Sequence, residues 1–268
     1  MEKKFKLGVI GAGFMSSAIV NGAIKSCVVE PSEVIVSDVN QNSLDKMCSL
    51  SVTTTMDNKY LADNSEFVLF AVKPQSLDEV LTSIIDCKCH KFISIMAGVK
   101  KNKIKNTLKD VLIARCMPNT PCAIGYGAIG LDLSDFSNKV DIDFIKLLLS
   151  SLAEVVEVPE EKLNAVTGVS GSSPAYFYLF LKGIIEGGIK NGLSYEEAKK
   201  LATSTMIGAG HMVLSNGEKS LDDLINAVCS KGGTTIEAIK VYNENNISKI
   251  TEMAVDACVK RAYELENL

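Results

Sequence analysis

Residues 6–19, KLGVIGAGFMSSAI, decide the fold that the sequence predicts. A short apolar run leads directly into Gly11 and Gly13, and an amphipathic helical pattern follows. Gly11 permits a tight turn, and Gly13 lets a pyrophosphate approach the backbone at the N-terminus of the helix. Ser16 stands at the third motif position, a departure that is still small enough for the helix to pack near the strand. The stretch therefore predicts a dinucleotide-binding strand–turn–helix.

The first half of the chain alternates between buried strands and amphipathic helices. The further apolar runs are EVIVSDV, EFVLFAV, KFISIMAGV, VLIARCMP, GAIGLDL and AEVVEV, with stretches such as NSLDKMCSL between them. This alternation is typical of an α/β fold with a mainly parallel sheet that is covered on both faces. After Pro159 only helical patterns follow. We expect a Rossmann-type doubly wound sheet in residues 1–160 and an all-helical domain in residues 161–268.

Composition limits the partners. The chain has 268 residues, 47% of them apolar, and a net charge of −4 with both signs interspersed. No basic stripe is present, which argues against binding to nucleic acid or to an anionic membrane. The N-terminal MEKKFKLGVIG lacks the apolar core of a signal peptide, and the most apolar long segment, PAYFYLFLKGIIEGGI, carries two charges and is too short to span a bilayer. Scattered cysteines fit a reducing compartment, so we expect a soluble, cytoplasmic protein.

The cluster CKCH, containing Cys87, Cys89 and His90, is the only local group that resembles metal ligands. A zinc site usually needs a second pair of ligands at matching spacing, and the sequence has none. We expect a turn before a strand here and no metal site.

Asp38 bears on which dinucleotide is bound. It ends the second predicted strand, near where a ribose-binding acid belongs in this fold. A carboxylate accepts hydrogen bonds from a ribose 2′-hydroxyl and repels a 2′-phosphate, and no arginine lies nearby, which favours NADH. Ser37, Asn40 and Asn42 could still arrange this loop around a phosphate. NADPH and NADH therefore both remain candidates.

Further strand ends place small or polar residues where a doubly wound sheet binds its ligand. AVKP and MAG each end a strand, and MPNTP follows a third, where two prolines force a turn and Asn119 offers both donors and acceptors. We expect the cofactor to be bound by Ile10, Gly11, Ala12, Gly13, Phe14, Met15, Ser37, Asp38, Asn58, Ala71, Val72, Lys73, Pro74, Met96, Ala97 and Asn119.

Two glycine-containing stretches in the second half each precede a helical pattern. In SGSSPAY, residues 170–176, Ser172 or Ser173 can cap the helix and Pro174 suits its first turn. In SKGGTTIEA, residues 230–238, Thr234 can cap, and Glu237 would complete a capping box. Helix N-termini of this kind suit a small carboxylate; the alternative is that both are ordinary capped helices.

With these motifs in place, the chain resembles the pyrroline-5-carboxylate reductase family over nearly its whole length. GAGFM, AVKP, AGV, MPNTP, VSGSSPAY and SKGGTTIEA occur in the family's order. The last three motifs are far more specific than a glycine fingerprint. Ser16 replaces the family's glycine or alanine, and Lys231 replaces its usual proline, which loosens the turn and puts substrate affinity in doubt.

The resemblance implies the last step of proline biosynthesis, in which (S)-1-pyrroline-5-carboxylate accepts a hydride from NADPH or NADH and becomes L-proline. It also implies that a cofactor domain meets helices of a partner subunit, with residues 161–268 binding substrate and forming the dimer. We therefore expect a homodimer or a larger homo-oligomer. The implied substrate contacts are Ser172, the Ser230 hydroxyl, the backbone N–H groups of Gly232, Gly233 and Thr234, and the catalytic hydroxyl of Thr235 near the ring nitrogen.

The residue inventory suits imine reduction. A protonated imine needs positioning more than a proton donor, whereas a ketone calls for an acid such as histidine. His90 precedes a strand at the wrong edge for a ligand, and His211 lies within a helix. A 3-hydroxyacid dehydrogenase using Lys182 is one alternative, although Lys182 and Glu186 have the spacing of a structural pair. A non-catalytic nicotinamide sensor is the other.

Overall fold

A computed structural model describes residues 4–266 of the chain. Its eight strands form a single sheet. They are β1 Phe5–Ile10, β2 Val34–Ser37, β3 Thr53–Thr55, β4 Ser65–Phe70, β5 Lys91–Ser94, β6 Leu112–Met117, β7 Gly127–Asp132 and β8 Ala153–Glu157.

The strand order is β3-β2-β1-β4-β5-β6-β7-β8. The neighbours from β3 to β6 are parallel, β7 is antiparallel to β6, and β8 is parallel to β7. The predicted mainly parallel, Rossmann-type sheet is confirmed. The single reversal follows from the short link between Met117 and Gly127, because a parallel crossover needs roughly a dozen residues or more.

Seven helices accompany the strands. They are α1 Phe14–Lys25, α2 Gln41–Cys48, α3 Asn58–Asn64, α4 Leu77–Ser83, α5 Lys101–Thr107, α6 Lys139–Ser150 and α7 Leu163–Val166. The two faces of the sheet carry separate apolar cores, with Val34 and Val36 in one and Ile35 in the other. This explains why the strands are continuous apolar runs, since alternate side chains of each strand are buried on opposite faces.

The rest of the described chain is helical, as predicted. The five remaining helices are α8 Ser173–Lys190, α9 Tyr195–Ser215, α10 Leu221–Val228, α11 Thr234–Glu244 and α12 Ile247–Glu266. Capping boxes form at the start of α9, from Ser194 to Glu197, and at the start of α10, from Ser220 to Asp223. No helix within residues 4–266 is long and apolar enough to cross a membrane.

The chain divides into two compact units. The first contains residues up to Pro174 together with those from Cys258 onward, and the second is Ala175–Ala257. The strands stop earlier, at Glu157, close to the predicted boundary near residue 160. That boundary stays a prediction, because it follows the change in secondary structure rather than the division in space.

A buried ion pair fastens the end of α12 within the first unit. The Arg115 guanidinium lies 3.1 Å from the Glu266 carboxylate, and both side chains are buried. Burial raises the pKa of Glu266, but hydrogen bonds from Lys100, Asn164 and Arg115 outweigh it and hold that pKa below its usual range. The last residues of the helix are therefore part of the sheet-containing unit.

Candidate active site

The glycine turn after β1 has the shape that a pyrophosphate requires. Gly11 has φ +104°, and a Cβ there would lie 2.6 Å from the Ala71 carbonyl oxygen, so only glycine fits. A Cβ on Gly13 would meet nothing within 4 Å, which leaves the backbone open to a ligand. Helix α1 begins directly after Gly13, and no side chain caps it. Its first N–H groups therefore point, uncapped, at the site where an anion would bind.

Asp38 is held at the rim of this turn. Its carboxylate accepts hydrogen bonds from the Ala12 N–H at 2.7 Å and from the Asn40 N–H at 2.8 Å. The buried Ser37 hydroxyl donates to Asn58 Oδ1 at 2.7 Å. These contacts place a negative charge beside the glycine turn, where the ribose of a dinucleotide would lie.

The sheet brings the other predicted cofactor residues to the same edge. Strands β1, β4 and β5 are adjacent and parallel, so the residues that follow them lie side by side. Lys73 and Phe14 are exposed there, the latter by 66%. The predicted residues at this edge are Ile10–Met15 at the end of β1 and beyond it, Ala71–Pro74 after β4, and Met96 and Ala97 after β5.

Asn119 faces the protein instead of open space. Its Oδ1 accepts from the Ala128 N–H at 3.0 Å, and its Nδ2 donates to the Ser170 carbonyl at 3.2 Å. The residue is only 8% exposed. Its side chain therefore joins β7 to the segment around residue 170, and its contact with the cofactor stays a prediction.

Two thiols beside the MPNTP turn are unsuited to nucleophilic chemistry. Burial raises the pKa of Cys116 to about 12. Burial also raises the pKa of Cys122, and its hydrogen bond with Asn119 does not reverse that effect. Both cysteines are thus neutral packing residues at physiological pH.

The stretch SGSSPAY does not form the predicted glycine loop. Residues Thr167–Gly171 form a π-helical turn between α7 and α8, closed by the Ser172 N–H donating to the Thr167 carbonyl at 2.9 Å. The predicted capping serines are therefore wrong, because the chain is already helical when it reaches them. Ser173 donates to the Val169 carbonyl one turn earlier. Such π-turns occur frequently at functional sites, and no sequence pattern announces them.

The stretch SKGGTT forms a tight turn before α11. The Gly233 N–H donates to the Ser230 carbonyl at 2.9 Å, and Gly232 has φ +73°. Gly233, not Thr234, is the N-cap, and no side chain caps the helix. The predicted capping box is wrong: Glu237 pairs with Lys240 at 2.6 Å instead. The Gly233 N–H already has an acceptor. The N–H groups that remain to donate to the predicted carboxylate are therefore those of Gly232, of Thr234 and of the residues that follow.

The hydroxyl groups around this turn are available to a ligand. Within the described residues, the side chains of Ser230, Thr234 and Thr235 make no hydrogen bond. Four other helices of eight or more residues, α2, α6, α9 and α10, are capped by their own side chains. Helices α1 and α11 share the opposite arrangement, a glycine N-cap and bare N–H groups. Each therefore offers an anion the positive end of its dipole.

The lysine and histidines that the alternative chemistries would use are exposed. Lys182 is 71% exposed and faces Glu186 at 3.8 Å, as a surface pair on one helix. His90 precedes β5 at the amino edge of the sheet, and His211 is exposed in α9. The Cys89 thiol donates to the Lys91 carbonyl at 3.3 Å. Across residues 4–266, no group of three His, Cys, Asp or Glu side chains is arranged to hold a metal ion.

Comparison with protein families gives two matches. Residues 160–265 match the family described as pyrroline-5-carboxylate reductase dimerisation, and residues 6–98 match NADP oxidoreductase coenzyme F420-dependent. The chain is 36% identical to the pyrroline-5-carboxylate reductase of Haemophilus influenzae, with 98% of each chain covered. It is 32% identical to that of Arabidopsis thaliana, covering 98% of this chain and 96% of the relative.

Two solved structures extend the likeness to three dimensions. The pyrroline-5-carboxylate reductase of Coxiella burnetii has a TM-score of 0.90 at 32% identity, covering 98% of this chain and 99% of that one. The Plasmodium falciparum pyrroline carboxylate reductase, solved with NADP bound, has a TM-score of 0.87 at 26% identity, covering 99% of this chain and 100% of that one.

Proposed function

The chain belongs to the pyrroline-5-carboxylate reductase family, and from that premise we propose which of its residues carry the reaction. It reduces (S)-1-pyrroline-5-carboxylate to L-proline with NADPH or NADH. The 3-hydroxyacid dehydrogenase and sensor alternatives are not favoured by these relatives. The substrate presents a carboxylate and a ring nitrogen, so the site needs an anion-binding element and a group that faces the nitrogen.

The cofactor fits the glycine turn. The uncapped N-terminus of α1 would bind the pyrophosphate, and Asp38 would accept a hydrogen bond from a ribose hydroxyl. Ala71–Pro74, Met96 and Ala97 would line the same edge of the sheet. When bound there, the dinucleotide supplies the hydride. The protein's own task is to orient both molecules and to exclude water between them.

The substrate carboxylate binds at the N-terminus of α11. The observation that carries this assignment is the glycine N-cap with no capping side chain, followed by the free hydroxyls of Thr234 and Thr235. Gly232 and Thr234 would donate their N–H groups, and Ser230 its hydroxyl. A helix N-terminus favours an anion both by these donors and by its dipole.

Thr235 faces the ring nitrogen in this arrangement. A protonated imine carries an N–H and no lone pair, so the threonine oxygen accepts that hydrogen bond. The positive charge already makes the imine carbon electrophilic, and no acid or base residue is required. Thr235 therefore acts by fixing the orientation of the ring.

Thr235→Ala tests this assignment. We expect a loss of about 1–3 kcal/mol in transition-state stabilisation, because the hydrogen-bond partner of the ring nitrogen is removed while the dinucleotide turn is untouched. Thr235→Ser keeps the hydroxyl and serves as the matched control. The measurement is kcat/KM with pyrroline-5-carboxylate, alongside cofactor affinity by fluorescence. Unchanged kcat/KM in Thr235→Ala would show that another group faces the nitrogen.

The second unit supports a homodimer. Between Ala175 and Ala257, all of them described, only Ala198 and Ala202 are buried. Large apolar side chains are exposed instead, including Leu179 by 72% and Leu214 by 81%. A unit with almost no core of its own needs a partner surface, and a second copy of this chain is the partner that the family's dimerisation segment suggests. We place the dimer in the cytoplasm, where scattered thiols stay reduced.

A further inference from the structure

Three serines of the segment around the π-turn differ in what their hydroxyls do. Ser170 and Ser173 each donate to the carbonyl four residues earlier, at 3.1 Å and 2.6 Å. Ser172 does not bond back to its own helix. Its oxygen lies 3.2 Å from the sulfur of Cys258, which is the donor of that hydrogen bond. Ser172 is therefore the exception among the three serines.

The contact with Cys258 leaves the Ser172 proton unused. A hydroxyl has one proton and two lone pairs, and the thiol occupies a lone pair. Within residues 4–266 the Ser172 hydroxyl has no protein acceptor. The residue is half-buried, so its proton is accessible to a ligand.

Ser172 also lies near the edge of the sheet where the chemistry takes place. Asn119, just after β6, donates to the Ser170 carbonyl at 3.2 Å. A Cβ on Gly171 would lie 2.8 Å from the Met117 methyl group, which shows how closely the π-turn approaches the end of that strand. A doubly wound sheet binds its ligands at this carboxyl edge. A substrate positioned for hydride transfer must therefore lie beside it.

We propose that Cys258 is a positioning residue whose thiol donates to Ser172 and so directs the Ser172 proton onto the substrate carboxylate. The protonated ring nitrogen has no lone pair, so the carboxylate is the only acceptor that the substrate offers. The assignment rests on the proposed function, and it adds a donor in the first unit that acts through a side chain rather than a helix end.

Four variants test the pair. Ser172→Ala removes the donor, and we expect the KM for pyrroline-5-carboxylate to rise about tenfold or more. Cys258→Ala removes the orienting thiol and should raise KM roughly three- to tenfold. Cys258→Ser keeps a donor and should stay within about twofold of wild type. The double variant should match Ser172→Ala alone, since the thiol acts only through that serine.

A second measurement separates binding from turnover. The affinity for L-proline, measured by calorimetric titration without cofactor, should decrease in Ser172→Ala and Cys258→Ala and be retained in Cys258→Ser. Ser170→Ala, equally half-buried but bonded back to its helix, is the matched control and should keep KM within about twofold. Should Cys258→Ala fail to fold, Cys258→Val removes the thiol at similar volume.

Additive losses from Ser172→Ala and Cys258→Ala would overturn the proposal, because the thiol would then act through something else. An unchanged KM in Ser172→Ala with weakened cofactor binding would overturn it as well. Neither result touches the assignment at α11, which Thr235→Ala tests separately. If kcat/KM is unchanged in Thr235→Ala while Ser172 and Cys258 remain coupled, only the α11 assignment is contradicted.

Discussion

Gly233 is the N-cap of α11, at the end of the turn that begins at Ser230, and a side chain there would displace the Ser230 hydroxyl. A Cβ there would collide with the Ser230 hydroxyl oxygen, and the adjacent Gly232 has φ +73°. Lys231 occupies the second position of the turn, where proline is also favoured, and its cation is exposed. The glycines thus set the backbone, while the lysine side chain is not needed for it.

Gly233→Val should therefore harm the enzyme more than Lys231→Ala. We expect a loss of roughly a hundredfold or more in kcat/KM for the valine variant, because Ser230 is displaced and the N–H groups of α11 no longer converge. Lys231→Ala should change KM by less than about tenfold, equivalent to ~1.4 kcal/mol. Steady-state kinetics and cofactor fluorescence distinguish the two. Full activity in Gly233→Val with a loss in Lys231→Ala would mean that a lysine binds the carboxylate.

Asp38 gives a prediction about the cofactor. Its charge lies beside the ribose position and should favour NADH over a 2′-phosphate. Asp38→Asn removes the charge but keeps an oxygen for the Ala12 N–H, and Asp38→Ser also shortens the side chain. Both should improve the use of NADPH relative to NADH by about tenfold, measured as the ratio of kcat/KM values. A wild-type enzyme that strongly prefers NADPH would contradict the prediction.

The sequence predicted which glycines matter but not every bond around them. Gly11 and Gly13 belong to a pattern whose geometry is the same in many proteins, so their roles follow directly. At the second site the helix could begin at Gly233 or Thr234, and both residue types are accepted as N-caps. That difference of one residue decided whether the Thr234 hydroxyl caps the helix or stays without a hydrogen bond to it. Only the structure resolved it.

At the scale of elements, the apolar strands were predictable, whereas strand β3 and the π-turn were not. Strand β3 is three threonines at the edge of the sheet, none of them buried, so it lacks the apolar run that identified the other seven. The reversal of β7 did have a signal, because the link before it is too short for a crossover helix. The π-turn had none: glycine and serines in sequence are typical of a loop.

Lys101, the first residue of α5, makes a buried ion pair from which a prediction about stability follows. The Lys101 ammonium is buried and lies 2.5 Å from Asp132, 2.7 Å from the Ser134 hydroxyl and 3.1 Å from Asp135. Burial lowers the pKa of Lys101, but the hydrogen bonds to the two aspartates outweigh it and hold that pKa above its usual value. This ammonium connects the start of α5 to the last residue of β7 and to the residues that follow it.

Lys101→Met should destabilise the first unit by about 3–5 kcal/mol, because it leaves the buried Asp132 carboxylate without its counterion. Lys103→Met is the matched control: its ammonium is exposed and lies 3.9 Å from Asp78, so we expect a change within about 0.5 kcal/mol. Urea unfolding followed by circular dichroism measures both. Equal stabilities for the two variants would show that the Asp132 carboxylate is solvated or protonated after the substitution.

At the scale of the whole molecule, the sequence could not predict which apolar helix faces are buried within the chain and which are exposed. An amphipathic helix has an apolar face whether that face packs on its own chain or on another, so periodicity alone does not say where the partner is. The first unit has two cores over its sheet, whereas the second buries only two alanines. The proposed dimer rests on the family resemblance, and the exposed apolar side chains of the second unit give the proposal a physical reason.

Leu179→Lys in α8 should separate the proposed dimer, because it puts a charge on an apolar face that a second chain would bury. We expect light scattering to give the mass of two chains for wild type and of one chain for the variant at micromolar concentration. The rate of pyrroline-5-carboxylate reduction should decrease as the dimer is lost. Cofactor binding, which needs only the first unit's glycine turn, should persist. Leu147→Lys in α6, 58% exposed on the first unit, is the matched control and should remain dimeric and active. A wild-type monomer with full activity would contradict the need for a partner, since the second unit would then function with its apolar helices in water.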